Sequence, residues 1–195
     1  VIAAVVVLAG VFLLANGGKS SSGPGRAGQY AFQIGQPGPG MRAPAIDLPQ
    51  TGGGTFNLAS QRGKTVLLYF QEGLTCQPCW DQLKELQAQE GQLKAAGIDE
   101  MVSITTDPLD QLKQKVGDEG ISVPLLSDSS RTVSTAYAGN KYGMMGESRD
   151  GHTFIVVGPD GRIRWRADYG GAPDYTMYVP VPDLLADLRK GLSES

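Results

Sequence analysis

The chain has 195 residues, with 17 Lys and Arg against 20 Asp and Glu, for a formal net charge of −3. No basic surplus is available to neutralise phosphates, so the charge balance gives no reason to expect nucleic acid as a partner. Two cysteines and one histidine are the whole store of soft ligands and strong nucleophiles, which excludes a disulfide-scaffolded fold.

Val1 to Ala15 reads VIAAVVVLAGVFLLA and holds no charge. A bilayer span takes about 20 residues, and the chain opens on Val, so the segment is expected to begin upstream. A retained single-pass membrane anchor over 1–15 is expected, with a signal-peptide core as the rival reading. Residues 16–41 are rich in Gly, Ser and Pro. They bury too little apolar surface to offset ordering entropy and read as a flexible tether. A single domain is expected over 42–195, outside the cytoplasm.

Within that domain, Ala45–Leu48 and Thr55–Leu58 around Gly52-Gly53-Gly54 suggest a hairpin. Thr65–Phe70 reads as a buried strand. Cys79–Ala96 reads as a helix with Trp80, Leu83, Leu86 and Leu93 near one face, and Met101–Thr105 as the next strand. Asp107-Pro108 is a helix start leading to Leu109, Leu112 and Val116. A short strand over Val123–Leu126 and a short helix over Arg131–Ala138 follow. Phe154–Val157 and Ile163–Ala167 flank Pro159-Asp160-Gly161, which is hairpin chemistry. An amphipathic helix over Pro182–Leu192 closes the chain. Strands alternating with helices predict an α/β fold, a mixed sheet with helices on both faces.

Both cysteines lie in Thr75-Cys76-Gln77-Pro78-Cys79-Trp80, between a buried strand and a long helix. Thiols three apart at a helix start can close a disulfide without distorting the backbone. Cys76 would sit beside unpaired N–H groups at the positive end of the helix dipole, which favours its thiolate. Cys79, one turn in, suits the resolving role, and Pro78 fixes φ and keeps the turn tight. An inert structural disulfide is the plain alternative. Structural zinc needs four ligands, and no second cysteine pair exists.

From about Ala43 onward the chain resembles the thioredoxin superfamily, in its redoxin branch of peroxiredoxins and membrane-anchored thioredoxin-like reductases. Ala43-Pro44, Asp47-Leu48, Leu58, Arg62-Gly63-Lys64, VLLYF, CQPC and TFIVVGPDGRI carry the resemblance. It implies a thioredoxin-like fold with Cys76 attacking and Cys79 resolving. Departures are Thr75 where thioredoxins have tryptophan, His152-Thr153-Phe154 where they have a cis-proline, and one extra residue between Phe70 and the cysteines. In the peroxiredoxin alignment Cys79 falls on the peroxide-attacking cysteine, Glu72 on the active-site proline and Cys76 on its threonine. Arg149 loosely matches the family arginine.

His152 reads as a partly exposed residue tuning the thiols. Its sharper reading is a ligand, with Cys76 and Cys79, for Cu(I), as in copper-delivery proteins of similar fold. Glu72 reads as a proton relay to the resolving thiol or as a solvated loop carboxylate. Trp80 reads as core or groove lining. Tyr169, Tyr175 and Tyr178 read as a packed cover over the last helix or as a partner-binding rim. The sequence is therefore read as a membrane-tethered, extracytoplasmic thiol–disulfide oxidoreductase acting on protein dithiols or disulfides, with no cofactor. A peroxiredoxin-type peroxidase and a Cu(I)-binding assembly factor are the alternatives.

Overall fold

A computed structural model of the chain describes residues 28–193. Two strands, β1 (Asp47–Pro49) and β2 (Thr55–Asn57), form the expected hairpin as a separate antiparallel sheet. Then follow β3 (Val66–Phe70), α1 (Gln77–Ala88), α2 (Glu90–Ala95), β4 (Glu100–Thr105), α3 (Leu109–Glu119), β5 (Leu125–Ser127), α4 (Thr132–Ala136), β6 (Thr153–Val157), β7 (Ile163–Asp168) and α5 (Val181–Ser193). The expected Cys79–Ala96 helix is two helices. The first closes where the Gln89 N–H is shared between the Glu85 and Leu86 carbonyls at 3.0 and 3.2 Å.

The five-stranded sheet runs in the order β5-β4-β3-β6-β7. Its first three strands are parallel, and β6 and β7 add antiparallel partners, which is the mixed sheet expected. The strand period of two divides β3 between two cores. Leu67 and Tyr69 pack with Trp80, Leu83 and Leu86 of α1 and Leu184, Leu185 and Leu188 of α5. Val66, Leu68 and Phe70 pack with Phe56 of the hairpin and Val133 of α4 on the other side. With both faces covered, all five residues of β3 are buried, as an uninterrupted apolar run requires.

The membrane anchor expected over 1–15 lies outside the described residues, as does the tether up to residue 27. Among the described residues no helix is long and apolar enough to cross a membrane. The expectation that the tether runs to Met41 is corrected by the structure. Gln33 pairs backbone to backbone with Asp168, and Arg42 with Arg162, so this stretch lies along the edge strand β7. Phe32 is the apolar reason: its ring is buried edge-on against Trp165 and Tyr169, at centroid distances of 6.3 and 5.2 Å. Gly/Pro content predicted a free linker, yet one aromatic side chain and a vacant strand edge are enough to dock it. The buried Asp168 carboxylate accepts the Gly35 N–H at 2.6 Å and is forked by Arg166, adding a polar clasp. Phe32→Ala is expected to cost about 3 kcal/mol of unfolding free energy in denaturant titration, as for other buried phenylalanines. A stretch that served only as linker would show no change.

Candidate active site

The site is built where β3 ends and α1 begins. The segment Gln71–Thr75 leaves the carboxyl end of the sheet and must turn back into a helix, and Gly73 makes the turn at φ +91°. A Cβ at Gly73 would fall 1.7 Å from Asp107 Oδ2, so both conformation and space demand glycine. Asp107 is buried and faces this turn from the end of the neighbouring parallel strand. Its Oδ2 accepts the Leu74 N–H at 2.7 Å and the Thr105 hydroxyl at 3.0 Å. Arg149 Nη1 donates to Asp107 Oδ1 at 2.6 Å and to the Glu72 carbonyl at 3.0 Å. The Trp80 indole N–H, from inside α1, reaches the Gly73 carbonyl at 3.1 Å.

Cys76 is the N-cap of α1 and is bonded to Cys79 as a disulfide with a Cα–Cα distance of 5.3 Å. Cys76 Sγ accepts the Cys79 N–H at 3.3 Å. That first-turn donor is shared with the Cys76 carbonyl at 3.1 Å, so the sulfur takes one branch of it. Pro78 lies in the same turn, where its missing N–H costs no helical bond. Thr75, Gln77 and Pro78 are exposed, whereas Cys76 retains 7% of its surface and Cys79 none. Met177 is packed on the pair. Its loop is tied to α1 by the Val179 N–H on Gln82 Oε1 at 2.7 Å and by the Tyr178 hydroxyl on Glu85 at 2.5 Å.

His152 is placed differently from the expectation. It is fully buried rather than partly exposed, with Nδ1 2.9 Å from the Tyr69 hydroxyl and its ring against Tyr69 and Phe154. Burial pulls its pKa down to about 3, so the ring is neutral near pH 7. The Cu(I) set of Cys76, Cys79 and His152 is not assembled: among the described residues no three His, Cys, Asp or Glu side chains converge. The reason is local, since His152 leads into β6 and turns into the aromatic cluster.

Glu72 is no solvated loop carboxylate. It is buried, and its Oε1 accepts the Met144 N–H at 2.7 Å, which fixes the 142–149 loop and leaves the proton relay to the thiols without a geometric basis. Trp80 is core, with no exposed surface, under the Lys115 ammonium. Tyr169 is the packed cover over the last helix, its hydroxyl on Asp187 of α5 at 2.6 Å, while Tyr175 and Tyr178 are 43% and 36% exposed.

Sequence reasoning missed Asp107 as a site residue, reading it only as a helix start. It also missed Asp150, which steadies the Arg149 loop from below. The Ser134 hydroxyl lies 2.7 Å from Asp128 Oδ2 and 3.0 Å from Asp150 Oδ2. One hydroxyl proton cannot serve both carboxylates. Burial pushes the Asp150 carboxyl well above the usual carboxylate range.

This fold and a disulfide at the head of α1 define a thioredoxin-like thiol redox protein. A profile of the AhpC/TSA family matches residues 39–166. A peroxiredoxin-type relative from Mycobacterium tuberculosis is 34% identical over 129 residues, 64% of this chain and 81% of that protein. Peroxiredoxin Bcp of Escherichia coli is 31% identical over 125 residues, 62% of this chain and 79% of its own length. Two solved structures from Mycobacterium tuberculosis share the fold. Peroxidoxin BcpB superposes with a TM-score of 0.64 at 21% identity, covering 78% of this chain and 96% of its own. AhpC superposes with a TM-score of 0.65 at 15% identity, covering 80% and 94%. The chain belongs to the AhpC/TSA family, and it is a thiol-dependent oxidoreductase.

Asp107→Ala removes the acceptor of the Leu74 N–H and strands the Arg149 guanidinium. It is expected to lower stability by about 3 kcal/mol, the scale for removing one partner of a buried ion pair. The Leu74 amide should exchange with solvent at least about tenfold faster, since its bond is lost. Hydrogen exchange followed by NMR checks this, and unchanged Leu74 protection would show that Asp107 does not hold the turn.

Proposed function

We propose that the chain is a thiol-dependent peroxidase that turns over through its Cys76–Cys79 disulfide, with Cys76 the attacking thiol. The observation that carries the assignment is the helix-capping contact, in which Cys76 Sγ receives the Cys79 N–H at 3.3 Å. A donor that stabilises negative charge on one sulfur lowers that thiol's pKa and supplies thiolate near neutral pH. The Cys76 thiolate attacks one peroxide oxygen and the O–O bond breaks. The departing alkoxide or hydroxide takes a proton, and Cys76 becomes a sulfenic acid. Cys79 then attacks that sulfur, water leaves, and the disulfide forms. The chain holds two cysteines only, so an external thiol must donate the two electrons that restore the dithiol. The family match and the peroxiredoxin relatives support peroxidase activity. The assignment of the attack to Cys76 rests on the capping contact, since the peroxiredoxin alignment puts the attacking position on Cys79.

A second reading, reduction of protein disulfides, is favoured by one feature. Cys76 stands where the peroxiredoxin alignment has threonine, and the exposed Thr75, Gln77 and Pro78 around it offer a protein partner a surface beside the disulfide. The two readings separate on the cysteine variants. With dilute peroxide, Cys79→Ser should accumulate a Cys76 sulfenic acid, detected by mass spectrometry after dimedone trapping. Cys76→Ser should consume peroxide at least about 100-fold more slowly than the parent, as expected for loss of a nucleophile. Sulfenylation of Cys79 in Cys76→Ser would transfer the attacking role to Cys79. A mixed disulfide with protein in Cys79→Ser, with no peroxide consumption by the parent, would put disulfide reduction first.

We further propose that Val1–Ala15 holds the catalytic domain at the outer face of a membrane. The support is the uncharged apolar run itself, followed by a Gly/Ser-rich stretch. The full chain should sediment with membranes and resist extraction by alkaline carbonate. Recovery in the soluble fraction would overturn the attachment.

A further inference from the structure

Arg62-Gly63-Lys64, which the thiol chemistry leaves without a task, sits at the opposite end of β3 from the cysteines. A crevice of about 230 Å³ opens there, with Val66 at its base. Pro44, Leu58 and Val157 give it apolar walls, and Arg42, Arg62 and Lys64 stand along it. Lys64 is engaged by Glu100 at 2.9 Å. Arg42 and Arg62 are exposed, and neither has a carboxylate partner among the described residues.

Two further features concentrate positive charge at this corner. Arg42 and Arg162 are directly opposed across an antiparallel bridge, an arrangement in which like charges cost stability. The Arg62 guanidinium lies over Gly161: a Cβ there would fall 1.6 Å from Nη1. The absence of a side chain at Gly161 therefore brings a third guanidinium to the same place. Asp160 faces the corner but is committed, accepting the Arg162 N–H at 3.1 Å and pairing with Arg164 at 2.9 Å. Among the described residues, the ion pairs of Arg42, Arg62, Lys64, Arg162 and Arg164 are Lys64 with Glu100 and Arg164 with Asp160, while Arg162 Nη1 donates to the Gly40 carbonyl at 2.8 Å.

We propose that this crevice binds a small amphipathic anion: a phosphate or carboxylate head joined to a short apolar segment. The head lies between Arg42 and Arg62, whose forked donors suit either oxyanion. The apolar part lies on Pro44, Leu58 and Val157. The volume is below the usual range for ligand pockets, so the site takes a head and a few methylenes. Occupancy relieves the repulsion between Arg42 and Arg162. It does not touch the cysteines, which lie beyond the other end of β3.

The test is calorimetric titration of the full chain, held in a neutral detergent at low ionic strength, with butyl phosphate and with inorganic phosphate. One butyl phosphate should bind saturably, about tenfold more tightly than inorganic phosphate, because the methylenes leave water. Arg42→Gln and Arg62→Gln should each weaken it about tenfold, and Lys113→Gln, on α3 and outside the crevice lining, should not. Vesicles then separate the sources of such an anion. Displacement of butyl phosphate by phosphatidylglycerol but not phosphatidylcholine vesicles assigns a lipid head, and no displacement by either assigns a free metabolite; both support the site. Absence of saturable binding, equal affinity for the two phosphates, or unchanged affinity in both arginine variants would overturn it.

Discussion

The Asp107 carboxylate closes the turn between β3 and α1 by accepting from the Leu74 N–H, the Thr105 hydroxyl and the Arg149 guanidinium at once. Every other feature of the thiol site is hung from this knot. Strands β3 and β4 are parallel and adjacent, so the loops that follow them emerge side by side at the carboxyl edge of the sheet. That edge is where open α/β sheets place their chemistry. Gly73 lets the two loops approach closely enough to bond, and the Trp80 indole locks the turn to the first coil of α1. Cys76 therefore meets the helix N-terminus at a fixed angle.

The electrostatics around the sulfurs are spare. His152 is buried and neutral, and it belongs to an aromatic cluster with Tyr69 and Phe154. The Arg149 charge is matched by Asp107 within the turn. What remains to favour a thiolate is the backbone, through the Cys79 N–H on Cys76 Sγ and the helix dipole behind it. That contact distinguishes Cys76, the capping residue, from Cys79 inside the first turn of α1.

The segment before β1 has a comparable economy. A sheet that ends on β7 exposes unpaired backbone groups, and covering an edge is a common solution. Residues 32–42 do this with a few backbone bonds, the Phe32 ring and the Gly35 N–H on Asp168. Arg166 is fully buried, yet every face of its guanidinium is met: Asp168 takes the fork, and the Pro37 and Tyr137 carbonyls take Nη1. A buried charge is tolerable only when satisfied in this way.

The strands and helices were legible in the sequence because apolar period and turn chemistry are local. The buried VLLYF run, the Pro159-Asp160-Gly161 turn and the C-x-P-C pair at a helix start each announce themselves within a few residues. The roles proposed for Cys76 and Cys79 rest on the same local logic, since an N-cap thiol and one a turn further differ by position alone. Asp107, Arg149 and Glu72 were not legible as one assembly, because 77 residues separate Glu72 from Arg149 and only strand order brings them together. His152 deceived for the same reason: a lone histidine near a loop reads as functional until packing shows it under Tyr69. Residues 30–41 looked like linker by composition, and only the vacant edge of β7 gave Phe32 somewhere to go. Sequence determined the elements and the redox pair. Tertiary structure decided which distant polar groups meet, because that depends on pairing between strands and not on any residue's neighbours along the chain.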